Sequence, residues 1–204
     1  MSDSCCNVPG PPQGISYSRV LWIALFANVA MFFVELAASV FSGSTALAAD
    51  AADFLGDAAN YALSLGALAL GGVWTSRVAL GKGIAMTCYG IGVLAYASWR
   101  AWIGTPPEPI TMGVVGALAF AVNFGVAALL YRFREGDANM RSVWLCTRND
   151  VVANLLVIGA AIGVFGTGTV WPDVGVAAIL AVLGLTSGTS VIRRARVELA
   201  GRPG

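Results

Sequence analysis

Six stretches of this chain, residues 20–41, 45–73, 83–103, 112–131, 143–165 and 174–192, run for about twenty residues each with few or no charges. That is the length a hydrocarbon core of ~30 Å demands of a spanning helix. Lipid offers the backbone no hydrogen-bond partners, so such stretches must satisfy their own amides and carbonyls as helices. The expected fold is therefore all-α: a polytopic integral membrane protein with six transmembrane helices over residues 19–197. A polar, disordered tail (1–18) precedes the bundle and a short basic tail (198–204) follows it. Composition agrees, since the 204 residues are 57% hydrophobic and 11% charged. Soluble domains carry about a quarter charged residues, and so few charges cannot solvate a globule of this size.

Turn chemistry separates the spans at Ser42-Gly43-Ser44, Thr105-Pro106-Pro107 and Gly166-Thr167-Gly168. The charged stretches Arg77 to Lys82 and Arg132 to Arg141 separate the others. The first seventeen residues lack a basic stretch leading into a short apolar core, so they do not read as a secretory leader. Ten of the twelve basic residues (Arg19, Arg77, Lys82, Arg132, Arg134, Arg141, Arg193, Arg194, Arg196 and Arg202) fall on one side of the alternating loops. The other side holds Arg100, and Arg148 lies within span five. Cytoplasmic loops carry the basic excess, so both termini are expected in the cytoplasm, with the chain in a bacterial cytoplasmic membrane. No P-loop or glycine-rich nucleotide fingerprint is present, and nothing points to nucleic acid.

The informative residues are acids where acids are costly. Glu35, Asp50, Asp53, Asp57 and Asp150 all lie inside spans, where each costs ~2.5–3.5 kcal/mol on insertion scales. Arg148 cannot neutralise five carboxylates, which favours a functional site over structural pairing. Asp53 and Asp57 are four residues apart and share one face of helix two. Asp50 and Asn60 extend that polar stripe. Cys146 and Asp150 repeat the spacing on helix five, and Asn154 prolongs it by a turn. If these faces meet, Asp53, Asp57, Cys146 and Asp150 close a four-ligand shell of carboxylate oxygen and thiolate sulfur, ordinary zinc chemistry. The sequence contains no histidine, so metal or proton chemistry must run on these groups. Asp50 is an accessory ligand or, more simply, a gate carboxylate bonded to a neighbouring helix. Asn28, Asn60, Asn123, Asn149 and Asn154 read as interhelical hydrogen-bonding groups, and Cys88 as a small hydrophobe. Cys5 and Cys6 in the tail offer thiols to a thiophilic metal.

The stretch from Ser42 through Asp57, reading SGSTALAADAADFLGD, resembles the second-helix signature of the cation diffusion facilitator family. Asn28 and Glu35 in span one, Asn139-Met140-Arg141 before span five and Trp171-Pro172-Asp173 before span six look similar too, so the likeness covers the whole membrane region. It implies a homodimeric exporter of divalent metal driven by proton antiport, with a ligand pair on helix two (Asp53, Asp57) and one on helix five (Cys146, Asp150). Zinc is the favoured substrate; cadmium suits the thiolate, and cobalt, nickel, iron and manganese are compatible. Cys146 departs from the family's usual histidine. Arg148 is a charge within helix five, which at about 100° per residue points away from both ligands and pairs elsewhere, with Glu35 or at the interface. The family's usual C-terminal domain is not in this sequence, so a dimer is expected to form through membrane helices. The rival expectation is a non-transporting membrane partner of another transporter, with Arg148 neutralising the site. No catalytic or cofactor-binding group stands out. An enzyme on a lipid substrate would need its acids at a membrane face, whereas these lie along helices within spans.

Overall fold

The computed structural model describes residues 16–70, 72–135 and 138–200, and every regular element among them is helical. The helices are α1 (Tyr17–Ser42), α2 (Thr45–Leu70), α3 (Gly72–Ile103), α4 (Pro109–Leu130), α5 (Ala138–Thr167) and α6 (Trp171–Ala200), with one 3₁₀ turn at Tyr131–Phe133. Five are long and apolar enough to cross a membrane. The sixth, α2, carries the three aspartates, and its 26 residues rise about 39 Å, enough to span. Cys5 and Cys6 lie outside the described residues.

The helices run past the apolar spans: α5 begins at Ala138 and α6 continues to Ala200. Residues 77–82, expected as a connection, lie in the second and third turns of α3. Charge at a membrane surface does not break a helix, whereas a glycine or proline can; hydropathy marks the lipid boundary and not the helix boundary. Where the chain does turn sharply, the backbone demands it. Gly43 caps α1 in the left-handed conformation at φ 71°, which any other residue adopts only at a cost of about 1–2 kcal/mol. Pro109 opens α4 at a position where a missing N–H is harmless. Glu108 caps that helix, accepting from the backbone N–H of Ile110 (2.9 Å) and of Thr111 (2.6 Å). The Thr111 hydroxyl and these N–H groups hold the exposed Glu108 carboxyl below its usual range, so the cap persists until the pH falls through that depressed value.

Short connections make successive helices run in opposite directions. The most extensive pairings are α3 with α6, α1 with α2 and α4 with α5, while α2 also touches α3, α5 and α6. This places α2 at the centre of the bundle. Apolar side chains such as Leu47, Met112, Val157 and Leu180 fill the core between α2, α4, α5 and α6. A second cluster, Val20, Leu21, Tyr61, Leu130, Phe133 and Val143, closes the bundle near the basic loops. Large apolar residues such as Phe26, Phe41, Trp102 and Phe165 point outward, as a lipid-facing surface requires.

The α3–α6 seam is set by small residues. A Cβ on Gly188 would lie 2.7 Å from Thr87 Oγ1 and 3.1 Å from the Gly83 carbonyl oxygen, and one on Gly83 would lie 3.0 Å from the Gly188 oxygen. The backbones therefore approach as closely as glycine permits. Gly188→Leu should force the helices apart and destabilise the protein by about 1–3 kcal/mol, seen as a lowered unfolding midpoint in detergent. An unchanged midpoint would show that the seam is looser than this geometry.

At the opposite end the three outer connections converge on the Ser42–Thr45 turn. The Glu108 N–H donates to the Ser42 carbonyl at 2.9 Å, and the Arg100 guanidinium lies against Gly43 while donating to the Thr105 carbonyl at 2.9 Å. Asp173, in the first turn of α6 and fully buried, accepts four hydrogen bonds from the start of α2. These come from Ser44 Oγ (2.6 Å), Thr45 N (2.7 Å), Thr45 Oγ1 (2.7 Å) and Ala46 N (3.0 Å).

Candidate metal centre

Asp50 and Asp57 of α2 face α5. Asp50 is buried and accepts two hydrogen bonds from Asn154 Nδ2 of α5, at 3.0 and 2.8 Å. Asn154 in turn accepts from Asn123 Nδ2 of α4 at 2.9 Å. Asp50 thus has the role of a carboxylate bonded to a neighbouring helix, and Asn123 and Asn154 are the interhelical groups their positions suggested. Asn28 instead donates to the Ala24 carbonyl of its own helix at 2.8 Å.

One to two turns further along α2, Asp57 meets α5. Its carboxyl group is within hydrogen-bonding reach of the Asp150 carboxyl, and Tyr61 and Asn60 also bond it. The Tyr61 hydroxyl lies 3.3 Å from Asp57 Oδ2 and 2.7 Å from Thr147 Oγ1, so a second α2–α5 tie passes directly beside the acids. Asp53 stands within electrostatic range of Asp50, Asp57 and Asp150. Cys146, one turn before Asp150, is exposed, and interacts electrostatically with Asp150 and with Lys82. The four ligands expected from spacing are thus gathered on facing helices, with Asp57 and Asp150 in contact and Asp53 and Cys146 flanking them. They do not form a closed shell: among the described residues no three Cys, Asp or Glu side chains stand close enough together to hold an ion as they are. Asp150 Oδ2 is buried and accepts no hydrogen bond from an N–H or hydroxyl donor.

Arg148 does not join this group. Its guanidinium lies over the Trp144 ring, 5.3 Å from the centroid, and donates to Asn149 Oδ1 at 3.5 Å on the exposed side of α5. Of the two expected placements, pairing with Glu35 is not the one adopted: Arg148 is exposed, and the stacked aromatic one turn away on its own helix offers a partner without burial. Glu35, fully buried on α1, has its carboxyl group within hydrogen-bonding reach of Asp50 on α2, and it also faces Asp53.

Three groups at or above the site were not singled out by spacing. Tyr61 and Thr147 read as ordinary members of apolar spans. Lys82, on α3, donates to Asn60 Oδ1 of α2 and lies within electrostatic range of Asp57, Cys146 and Asp150. Its one sequence signal was a lone lysine between two glycines.

Residues 21–200 match the cation efflux transmembrane domain family. The chain is 26% identical over 176 residues to the metal cation efflux system protein CzcD of Cupriavidus metallidurans, covering 79% of this chain and 55% of that protein. It is 26% identical over 208 residues to a cadmium, cobalt and zinc/H(+)-K(+) antiporter of Bacillus velezensis, covering 94% of this chain and 66% of the relative. The chain therefore spans about half to two thirds of the length of the curated relatives it matches.

Proposed function

This chain belongs to the cation diffusion facilitator family by its cation efflux transmembrane domain, and on that premise we propose that it exports a divalent metal ion by proton antiport through a site between α2 and α5. The observation that carries this reading is the meeting of buried Asp57 and half-buried Asp150, acids from two different helices. Two carboxylates brought together out of water repel each other and lose hydration. A divalent cation between them removes both penalties, and so do protons. Metal and proton therefore compete for the same lone pairs, the requirement for exchanging one for the other.

Asp57 and Asp150 are the central ligands, with Asp53 and Cys146 completing the shell when α2 and α5 rock together, and Asp50 holding the gate above them. The ion enters from the basic-loop side, which the charge asymmetry makes cytoplasmic, and displaces protons. Opening to the other side lets protons return and weakens the ligand field. Zinc fits the oxygen and sulfur donors; the relatives' cadmium and cobalt lie within the same donor chemistry. The working unit is a homodimer formed through membrane helices, in a bacterial cytoplasmic membrane with both termini inside.

Expression of this chain alone in metal-sensitive cells is expected to raise zinc tolerance. Unchanged tolerance, with the protein present in the membrane, would favour a non-transporting partner. That rival has lost its charge argument, because Arg148 lies over Trp144 and not in the site. Cys146→His should shift preference from cadmium toward zinc in equilibrium binding to purified protein. Identical selectivity in parent and variant would remove the sulfur from the shell.

A further inference from the structure

We propose that the Lys82 ammonium is the counter-ion of the acids between α2 and α5, a tethered cation that an arriving divalent ion must displace. The inference rests on the α2–α5 site described above and adds a residue from a third helix. Lys82 Nζ donates to Asn60 Oδ1, and the Asn60 side chain also bonds Asp57. A single amide thus links the lysine to a proposed ligand. The same ammonium is within electrostatic range of Cys146 and Asp150 on α5, so it faces both halves of the ligand set. Arg148, which sequence placed nearest to these ligands, is turned away onto Trp144.

The backbone beside Lys82 is packed closely on α6. Gly83, the next residue, is locked against α6, where its Cβ position lies 2.8 Å from Ile192 Cγ1 and 3.0 Å from the Gly188 oxygen. The Lys82 side chain is half-buried on a flexible four-carbon stem that carries a compact point charge. Asn60 lies one turn from Asp57 toward the basic loops, so the ammonium stands between the acids and the side from which metal is proposed to arrive. Left empty, the site keeps a positive charge beside its carboxylates. With a divalent ion bound, the same charge repels the ion and must move off. The lysine lowers metal affinity, sharing the acids with the substrate.

The test is zinc binding to the purified full chain by competition with a chromogenic chelator. Lys82→Gln keeps a donor toward Asn60 and removes the charge; Lys82→Met is a second neutral variant. Both should bind zinc about tenfold more tightly than the parent, the effect of removing one like charge beside a ligand set. Lys82→Arg keeps the charge and should stay close to the parent. Neutral variants that bind no more tightly, or an arginine variant that tightens equally, would overturn the counter-ion role. Asp57→Asn separates this from the underlying reading. If it abolishes binding while the neutral lysine variants do nothing, the site stands and Lys82 is merely structural. If it binds as the parent does, the site itself is wrong and the lysine inference falls with it.

Discussion

Alanine at Asp57 or at Asp150 is expected to reduce zinc-driven proton flux in proteoliposomes to that of protein-free vesicles. Each substitution removes one of two carboxyl groups that meet across the α2–α5 interface. What remains is three donors at most, one of them the exposed Cys146, and too few charges to compensate a dehydrated divalent ion. Because the two acids act as one ligand unit, the double variant should be no worse than either single one, the non-additivity expected of groups sharing a function. Asp50→Asn provides the contrast. Asp50 spends its lone pairs on Asn154, so its loss should slow exchange without abolishing binding. Parental flux from both alanine variants would eliminate the site, whatever the family resemblance.

The parts of this protein that were legible in its sequence are those governed by short-range periodicity. The six helices follow from apolar length, and the shared face of Asp53 and Asp57 on α2 follows from their four-residue spacing, since i and i+4 share a face whatever the tertiary structure; on α5 the same spacing does not bury both groups, because Cys146 is exposed. The start of α3 was misplaced because hydropathy records where lipid ends, while the helix continues through Arg77 and Lys82 into the aqueous boundary. That same stretch hid Lys82, whose charge was absorbed into the basic tally of one membrane side, although its side chain turns inward to Asn60. The orientation argument uses net charge per loop and is blind to where a side chain points. Arg148 was the converse case: its position beside two ligands suggested interference, and the 100° step correctly turned it away, but its partner Trp144 came from its own helix and not from Glu35.

Connections between residues far apart in sequence were the least legible. Asp173 and the Ser44–Ala46 segment are separated by more than 120 positions, and nothing in either stretch names the other. A physical signal did exist. The start of α2 offers backbone N–H groups and two hydroxyls with no acid of its own within the turn, and the start of α6 offers a carboxylate within an apolar segment. Each end is incomplete alone.

That complementarity leads to the largest stability effect expected of a single substitution here. Asp173→Ala should destabilise the protein by about 3–5 kcal/mol, the usual cost of breaking a buried, charge-assisted network by removing one partner. Four donors lose their acceptor at once, two of them backbone N–H groups at the positive end of the α2 dipole, in a fully buried position. Asp173→Asn is the sharper variant. It preserves shape but turns an NH2 group toward donors that previously shared a carboxylate, leaving at least one unsatisfied at about 1–3 kcal/mol. The order alanine, asparagine, parent in unfolding midpoint is therefore expected, measured by thermal denaturation in detergent. The same clamp fixes where α2 begins and hence the depth at which Asp53 and Asp57 stand, so the asparagine variant should also bind zinc more weakly while remaining folded. Equal midpoints for all three proteins would mean that the α2 start is held by helix packing alone, and that the carboxylate contributes nothing to positioning the acids below it.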